Sequence, residues 1–218
     1  VDTYDDRVYE KASETLWSML DEGIFIQDDE EYFYIYELIM DGRSQTGIVG
    51  CSSIDDYESN VIKKHENTRK EKEIDMIKHV DTCNAQTGPI FLAYKANKKL
   101  QSIVDKVKTK EKLYGFTSSD EITHNMWLVS DKDDISAVKD IFKTMDSIYI
   151  ADGHHRTASA VRVGQMRREA NPNYNGQEEF NYFLSVLFPD DQLLIQPYNR
   201  TVNSLNGYSK EEFLLKVG

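Results

Sequence analysis

The sequence predicts a mixed α/β fold of the α+β type, in which helices flank a mixed or antiparallel sheet. Three observations support this class. Apolar residues recur at helical spacing in several segments, short runs rich in aromatic and β-branched residues alternate with them, and the strand-like runs are joined by both tight turns and helical crossovers. The length of 218 residues suits one domain, so we expect residues 1–218 to form a single α+β domain.

Apolar periodicity and end signals predict seven helices. Most of them place Leu, Ile, Val or Met three and four residues apart, and Gly23 follows the first helix, where a C-terminus favours glycine. In chain order the predicted helices cover residues 8–20, 55–63, 68–80, 100–107, 135–145, 154–170 and 209 onward. Three begin with capping-box spacing, given by Ser53 with Asp56, Thr68 with Glu71 and Ser209 with Glu212.

Eight short runs predict strands. The first two flank the turn Asp41-Gly42-Arg43, which is typical of an antiparallel hairpin. In chain order the runs are residues 31–40, 45–53, 90–94, 112–119, 122–131, 147–153, 181–188 and 193–198. Asn, Pro and Gly cluster in residues 171–179, which predicts a loop between the last long internal helix and the final strands.

Charge and composition restrict the partners. The chain has 38 acidic and 26 basic residues, and its formal net charge of −12 disfavours nucleic acid and anionic membrane surfaces. Its longest apolar runs are far shorter than the roughly 20 residues of a membrane span, and no signal-peptide pattern opens the chain. Cys51 and Cys83 form neither a CxxC pair nor a disulfide framework. We therefore expect a cytoplasmic protein with reduced thiols and small-molecule partners.

The sharpest chemical signal is the segment Asp152-Gly153-His154-His155-Arg156, between a predicted strand and a predicted helix. A glycine turn at a helix start directs free N–H groups outward, and the helix dipole favours an anion there. Arg156 adds a planar fork suited to phosphate, and His155 can donate or shuttle a proton. These features favour a phosphate or nucleotide site. A simple N-cap with surface histidines, and a metal site of Asp152, His154 and His155, stay open as alternatives.

Two further clusters carry cationic residues. Residues 63–72 hold Lys, Arg and His side chains within an acidic chain, and His65 and Glu66 fall in a predicted loop, where binding groups concentrate. A solvated helix face would explain this run equally well. The third cluster is the end of the last predicted strand, where Arg200 could contact an anion. A polar strand end is the simpler explanation there.

With these segments side by side, the chain resembles the bacterial and archaeal family known as domain of unknown function 1015. The matching stretches lie between about Arg43 and Arg200 and are RSQTGIVG, DYESNVIKKHENTRKEKEIDMI, TGPIFLAY, IYIADGHHRTASA and NYFLSVLFPDDQLLIQPYNR. The resemblance implies that the chain is an internal fragment of a longer family member. It departs from the family pattern at Thr157, where an aromatic residue is usual, and at Asn199, where a histidine is usual.

The Gly-His-His-Arg turn is also similar to the Gly-Cys-His-Arg turn of sulfiredoxin and the Gly-Glu-Arg-Arg turn of ParB proteins, which hold nucleotide phosphates at a helix N-terminus. Relatives of that fold include kinases that phosphorylate free L-serine. The resemblance implies a nucleotide-dependent phosphotransferase, most concretely a free L-serine kinase, with ATP or ADP and Mg²⁺ as cofactors. A ParB-like nucleotide-binding switch is the alternative, and a metal-dependent hydrolase that uses Asp152, His154, His155 and His65 is another.

Under the kinase hypothesis we expect the three segments to converge. The residues expected to hold the phosphates are Gly153, His154, His155, Arg156, Lys64, Arg69 and Arg200. The candidates for acid–base catalysis are His65, Glu66, Asp152 and His155. Phosphoryl transfer needs a base for the hydroxyl proton and cations to neutralise charge, so Glu66 and Asp152 are also candidate Mg²⁺ contacts.

Overall fold

The predicted class is confirmed in a computed structural model, which describes residues 4–195, 197 and 199–217. One mixed sheet is flanked by helices. Its eight strands are β1 (Phe33–Met40), β2 (Arg43–Ser53), β3 (Ile62–Lys63), β4 (Ile90–Tyr94), β5 (Tyr114–Thr117), β6 (Thr123–Val129), β7 (Ile148–Asp152) and β8 (Tyr182–Pro189). Seven α-helices lie in the described residues: α1 (Asp6–Asp21), α2 (Ile54–Glu58), α3 (Lys70–Cys83), α4 (Lys98–Lys108), α5 (Lys132–Lys143), α6 (His154–Ala170) and α7 (Lys210–Val217).

The strands lie in the order β3-β7-β4-β8-β2-β1-β6-β5. The β3–β7 and β4–β8 pairs are parallel and all other pairs are antiparallel. The predicted hairpin joins β1 to β2, and its turn residues Asp41 and Gly42 have φ values of 51° and 75°. Two positive φ values in a two-residue loop match the twist of the flanking strands, which explains the Asp-Gly pair.

One row of apolar side chains crosses six adjacent strands. Its members are direct cross-strand partners, and none is more than 6% exposed. From β7 to β6 the row consists of Ile150, Leu92, Leu187, Ile48, Ile35 and Trp127. The apolar face of α4 (Leu100, Val104 and Val107) belongs to the same core cluster. None of the described helices is long and apolar enough to cross a membrane.

The predicted signals at the end of the first helix and at the start of the last helix are both found in the structure. After α1, the N–H groups of Gly23 and Ile24 donate to the carbonyls of Leu20 and Met19, which is the hydrogen-bond pattern of a Schellman motif. Before α7, the N–H of Glu212 donates to Ser209 Oγ while the N–H of Ser209 donates to the Glu212 carboxylate. The Ser209–Glu212 capping box is therefore confirmed.

Two predicted helix boundaries are wrong. The helix expected over residues 55–63 ends at Glu58, because Asn60 adopts a left-handed φ of 63° and Ile62 and Lys63 pair with β7 instead. The expected capping box of Thr68 also fails. Arg69 is the N-cap of α3 and makes no side-chain cap bond, and the Thr68 hydroxyl donates to the Glu73 carboxylate.

The last predicted strand, residues 193–198, is also wrong within the described residues. Residues 193–195 form no strand, and Ile195 is 96% exposed. The physical reason is that β4 and β2 already occupy the two sides of β8, so the chain that follows β8 cannot pair beside it. Gln196 and Tyr198 lie outside the described residues.

An ion pair between a buried glutamate and a half-buried lysine joins α4 to the sheet. Glu37 is 7% exposed, and its carboxylate accepts hydrogen bonds from Lys108 Nζ (2.6 Å), Ser44 Oγ (2.6 Å) and Asn125 Nδ2 (2.9 Å). Burial by itself raises the pKa of Glu37, but these hydrogen bonds outweigh it and hold the pKa below its ordinary value. The carboxylate is therefore charged near neutral pH, and Lys108 is its counterion.

Replacing Lys108 by Met (Lys108→Met) leaves this buried carboxylate without a counterion. We expect the free energy of unfolding at neutral pH to fall by about 3 kcal/mol. Because the folded pKa of Glu37 is lowered, the contribution of the pair is present above the unfolded pKa and is lost as the pH falls through the folded one, so the difference from wild type should narrow in acid. Urea titrations across pH measure this effect.

The double variant Glu37→Gln/Lys108→Met is the control, since it removes both charges. It should lose less stability than Lys108→Met alone. Equal losses of unfolding free energy in the single and the double variant would contradict the assignment of Lys108 as the counterion of Glu37.

Candidate functional site

A glycine and a β-bulge shape the junction between β7 and α6. Leu92 of β4 pairs with Ile150 and Phe91 pairs with Asp152, so Ala151 has no partner on that side and forms the bulge. Gly153 is the N-cap of α6 with a φ of 97°. A Cβ on Gly153 would lie 3.2 Å from Arg156 Nε. Positive φ and this close approach together explain why the position is glycine.

The Arg156 guanidinium bridges two parts of the chain at this junction. Its Nη2 donates to Asp152 Oδ2 at 2.8 Å, and its Nη1 donates to the carbonyl of Pro89 at 2.8 Å. A Cβ on Gly88 would lie 3.3 Å from Nη1, so the guanidinium fits between two glycines. Arg carries five N–H donors, and three remain after these two bonds.

The two adjacent histidines both accept hydrogen bonds from the main chain of one loop, residues 65–69, which we call the 65–69 loop. His154 is buried, and its Nε2 accepts the N–H of His65 at 3.4 Å. His155 is half-buried, and its Nε2 accepts the N–H of Arg69 at 3.0 Å. Since an accepting nitrogen carries no hydrogen, each neutral ring holds its proton on Nδ1.

The other side of the His154 ring faces Glu66. Glu66 Oε2 lies 3.8 Å from His154 Nδ1, and the His65 ring packs edge-on against the His154 ring with 4.4 Å between centroids. Burial lowers the pKa of His154, and the nearby His65 ring lowers it further, while Glu66 and Asp152 raise it. The net direction is down, so the ring is neutral at neutral pH.

A cleft of about 180 Å³ lies at this junction, and we call it the α6 cleft. It is lined by Glu66, Met76, Ala151, Asp152, Gly153, His154, His155 and Arg156. The structure therefore brings six of the predicted site residues to one cleft, together with His65 next to His154. Of the three segments expected to converge, the 63–72 run and the Gly-His-His-Arg turn meet at this cleft.

Three predicted cationic residues are placed differently. Among the described residues that line the α6 cleft, none is Lys64, Arg69 or Arg200. Lys64 Nζ lies over the Tyr57 ring, 4.9 Å from its centroid, and Arg69 contributes its backbone N–H rather than a lining side chain. Arg200 is exposed in the irregular segment between β8 and α7.

Sequence reasoning missed Met76, Gly88 and Pro89. Met76 lies on α3 at a spacing that any core-facing residue would have, so its position in the cleft has no sequence signal. Gly88 and Pro89 do carry a signal, because a Gly-Pro pair directly before a buried strand restricts the backbone. Their partner, Arg156, is 67 residues from Pro89 along the chain and could not be read from the pair itself.

The N-termini of α3 and α6 differ from those of the other helices. In α1, α2, α4 and α5 a side chain of the N-cap residue accepts a backbone N–H, the caps being Asp5, Ser53, Asn97 and Asp131. Neither Arg69 before α3 nor Gly153 before α6 does so. The hydrogen bond from the Arg69 N–H to His155 Nε2 joins the two helix starts, and Glu71 and Glu73 lie in the first turn of α3. The free N–H donors that face the α6 cleft are therefore those of α6.

The described residues contain no group of three or more His, Cys, Asp or Glu side chains placed to hold one metal ion. The carboxylate of Asp152 pairs with Arg156.

Comparison with known proteins gives one match. The family model described as protein of unknown function (DUF1015) matches residues 1–218. Neither the search of curated proteins nor the search of solved structures found a match.

The conformation of Gly153 gives a stability test. In Gly153→Ala, a positive φ and a close contact with Arg156 combine, and we expect a loss of about 2 kcal/mol of unfolding free energy. Gly176→Ala is the matched control, because Gly176 has a φ of 87° with nothing near the added Cβ. It should lose only about 1 kcal/mol. Equal urea midpoints for the two variants would contradict the close packing of Arg156 on Gly153.

Proposed function

This chain belongs to the DUF1015 family, and we propose that it is a nucleotide-dependent phosphotransferase that holds phosphate at the N-terminus of α6. The observation that carries the proposal is the uncapped N-terminus of α6, which lies beside the Arg156 guanidinium in one cleft. The acceptor we favour is a small hydroxy metabolite, with free L-serine as the best candidate.

The donors beside the α6 cleft suit an anion. The first N–H groups of a helix have no intrahelical partner and point along its axis. Because the N-cap residue of α6 is Gly153, no capping side chain accepts these N–H groups in α6. Arg156 adds its remaining N–H donors in a fixed orientation, because Asp152 and Pro89 hold the other two. Charge-assisted bonds of this type are the strong ones for phosphate.

The size of the cleft indicates which part of a ligand it takes. At about 180 Å³ it is smaller than the roughly 300–1,000 Å³ of ordinary ligand pockets. It therefore suits the phosphate end of a nucleotide, with ATP or ADP as the candidate donors, and the base and ribose would lie outside it. This agrees with the sequence, since an acidic chain with a local cationic turn favours a small phosphorylated ligand over a polymer.

Two carboxylates line the same cleft and have different partners. Asp152 pairs with Arg156, whereas the Glu66 side chain is 61% exposed and, among the described residues, has the neutral His154 ring as its nearest titratable partner. We therefore assign to Glu66 the acceptance of the hydroxyl proton, and to Asp152 the orientation of Arg156. Carboxylate oxygens are also the ligands that Mg²⁺ takes beside phosphates, and a bound Mg²⁺ would neutralise charge on the transferred group.

Nucleotide binding and turnover test the proposal. Purified protein with Mg²⁺ should bind ATP or ADP in calorimetry and consume it only when L-serine or a related hydroxy compound is present. Arg156→Gln removes charge-assisted bonds and should weaken nucleotide binding by about tenfold to a hundredfold. Arg162→Gln, an exposed arginine on the same helix, is the matched control and should bind like wild type.

The outcomes separate the candidate functions. Nucleotide binding without any acceptor-dependent turnover would favour the ParB-like switch. Absence of binding to ATP, ADP and inorganic phosphate would overturn the phosphate site itself.

A further inference from the structure

The two adjacent histidines at the start of α6 point in different directions but bond to the same loop. Successive residues on a helix point about 100° apart, so His154 and His155 cannot face one ligand equally. Both rings nevertheless direct Nε2 to the same short loop, one to the N–H of His65 and the other to the N–H of Arg69. The pair therefore reaches the two ends of the 65–69 loop rather than one ligand.

We propose that His154 and His155 are positioning residues, which hold the 65–69 loop and its Glu66 carboxylate against the α6 cleft. This inference rests on the proposed function, in which Glu66 accepts the hydroxyl proton. It changes the roles that the sequence predicts, in which both histidines are candidate phosphate ligands and His155 is also a candidate for acid–base catalysis.

His154 contacts two consecutive residues of the loop. The N–H of His65 occupies Nε2, and the Glu66 carboxylate lies 3.8 Å from Nδ1 on the other side of the ring. Because Nε2 accepts, the proton on Nδ1 faces the carboxylate. The ring is 4% exposed and the Glu66 side chain is 61% exposed. The buried His154 ring therefore holds the backbone at His65, the residue directly before Glu66, while the Glu66 carboxylate stays exposed.

His155 replaces a missing cap. Arg69, the N-cap residue of α3, supplies no side-chain bond to its own helix, and Thr68 bonds to Glu73. The Nε2 of His155 instead accepts the N–H of Arg69 at 3.0 Å, which satisfies one of the four unpaired donors at that helix start. The first turn of α6 thus determines where the loop ends and α3 begins.

Four variants test the inference: His154→Leu, His154→Gln, His155→Leu and His155→Gln. Leucine removes the acceptor, whereas glutamine places an amide oxygen near the position of Nε2. In the leucine variants we expect amide hydrogen exchange in the 65–69 loop, and trypsin cleavage after Lys64 and Arg69, to rise about fivefold. The glutamine variants should restore most of the protection.

Kinetics give the second readout. In His154→Leu, kcat for acceptor-dependent turnover should fall while the nucleotide Kd stays within about threefold of wild type, because a positioning residue acts on Glu66 and not on the phosphate. His79→Leu is the control, since His79 lies on α3 and contacts the side chains of Cys83 and Thr87. It should leave loop exchange unchanged.

The outcomes that overturn the inference are distinct from those that overturn the function. Unchanged loop exchange together with a nucleotide Kd raised tenfold or more would make the histidines ligand contacts. If loop exchange is faster in the leucine variants but the wild-type protein binds no nucleotide, the positioning role is retained and the phosphotransferase is rejected. Circular dichroism of each variant establishes that the exchange is measured on a folded chain.

Discussion

The apolar row that crosses six strands fixes the register from which the α6 cleft is built. A slip of one residue in any of these strands would turn its buried side chains to the other face of the sheet. Because Ile150 is paired with Leu92, β7 ends two residues later at Asp152, opposite the start of β4. That register brings the carbonyl of Pro89 and the carboxylate of Asp152 within reach of one guanidinium, that of Arg156.

Most of the fold was predictable from local signals, because hydrophobic period and turn chemistry act within a few residues. The Asp41-Gly42 hairpin and the Ser209–Glu212 capping box are examples. The failures have a common cause in tertiary structure. Residues 193–195 carry an apolar run typical of a strand, but both edges of β8 are occupied. Thr68 has the spacing of a cap, but its hydroxyl has a partner in Glu73.

The candidate site was predictable in composition but not in geometry. Residue types and family resemblance selected Glu66 and the segment from Asp152 to Arg156, and these residues do line one cleft. The partners of the two histidine rings could not be predicted, because they are backbone N–H groups, which almost every residue type carries. The cationic run was also only partly informative, since Lys64 lies over the Tyr57 ring rather than in the cleft.

The pairing of Arg156 with Asp152 has a kinetic consequence for any anion that approaches. The two charges offset each other at short range, while the chain as a whole carries −12. Under the proposed function, a phosphorylated ligand would then be repelled at long range and captured only on contact, by oriented donors. Added salt screens that repulsion. The rate at which the ligand encounters the cleft would therefore rise with ionic strength. A protein that attracts phosphate through an open basic surface shows the opposite dependence.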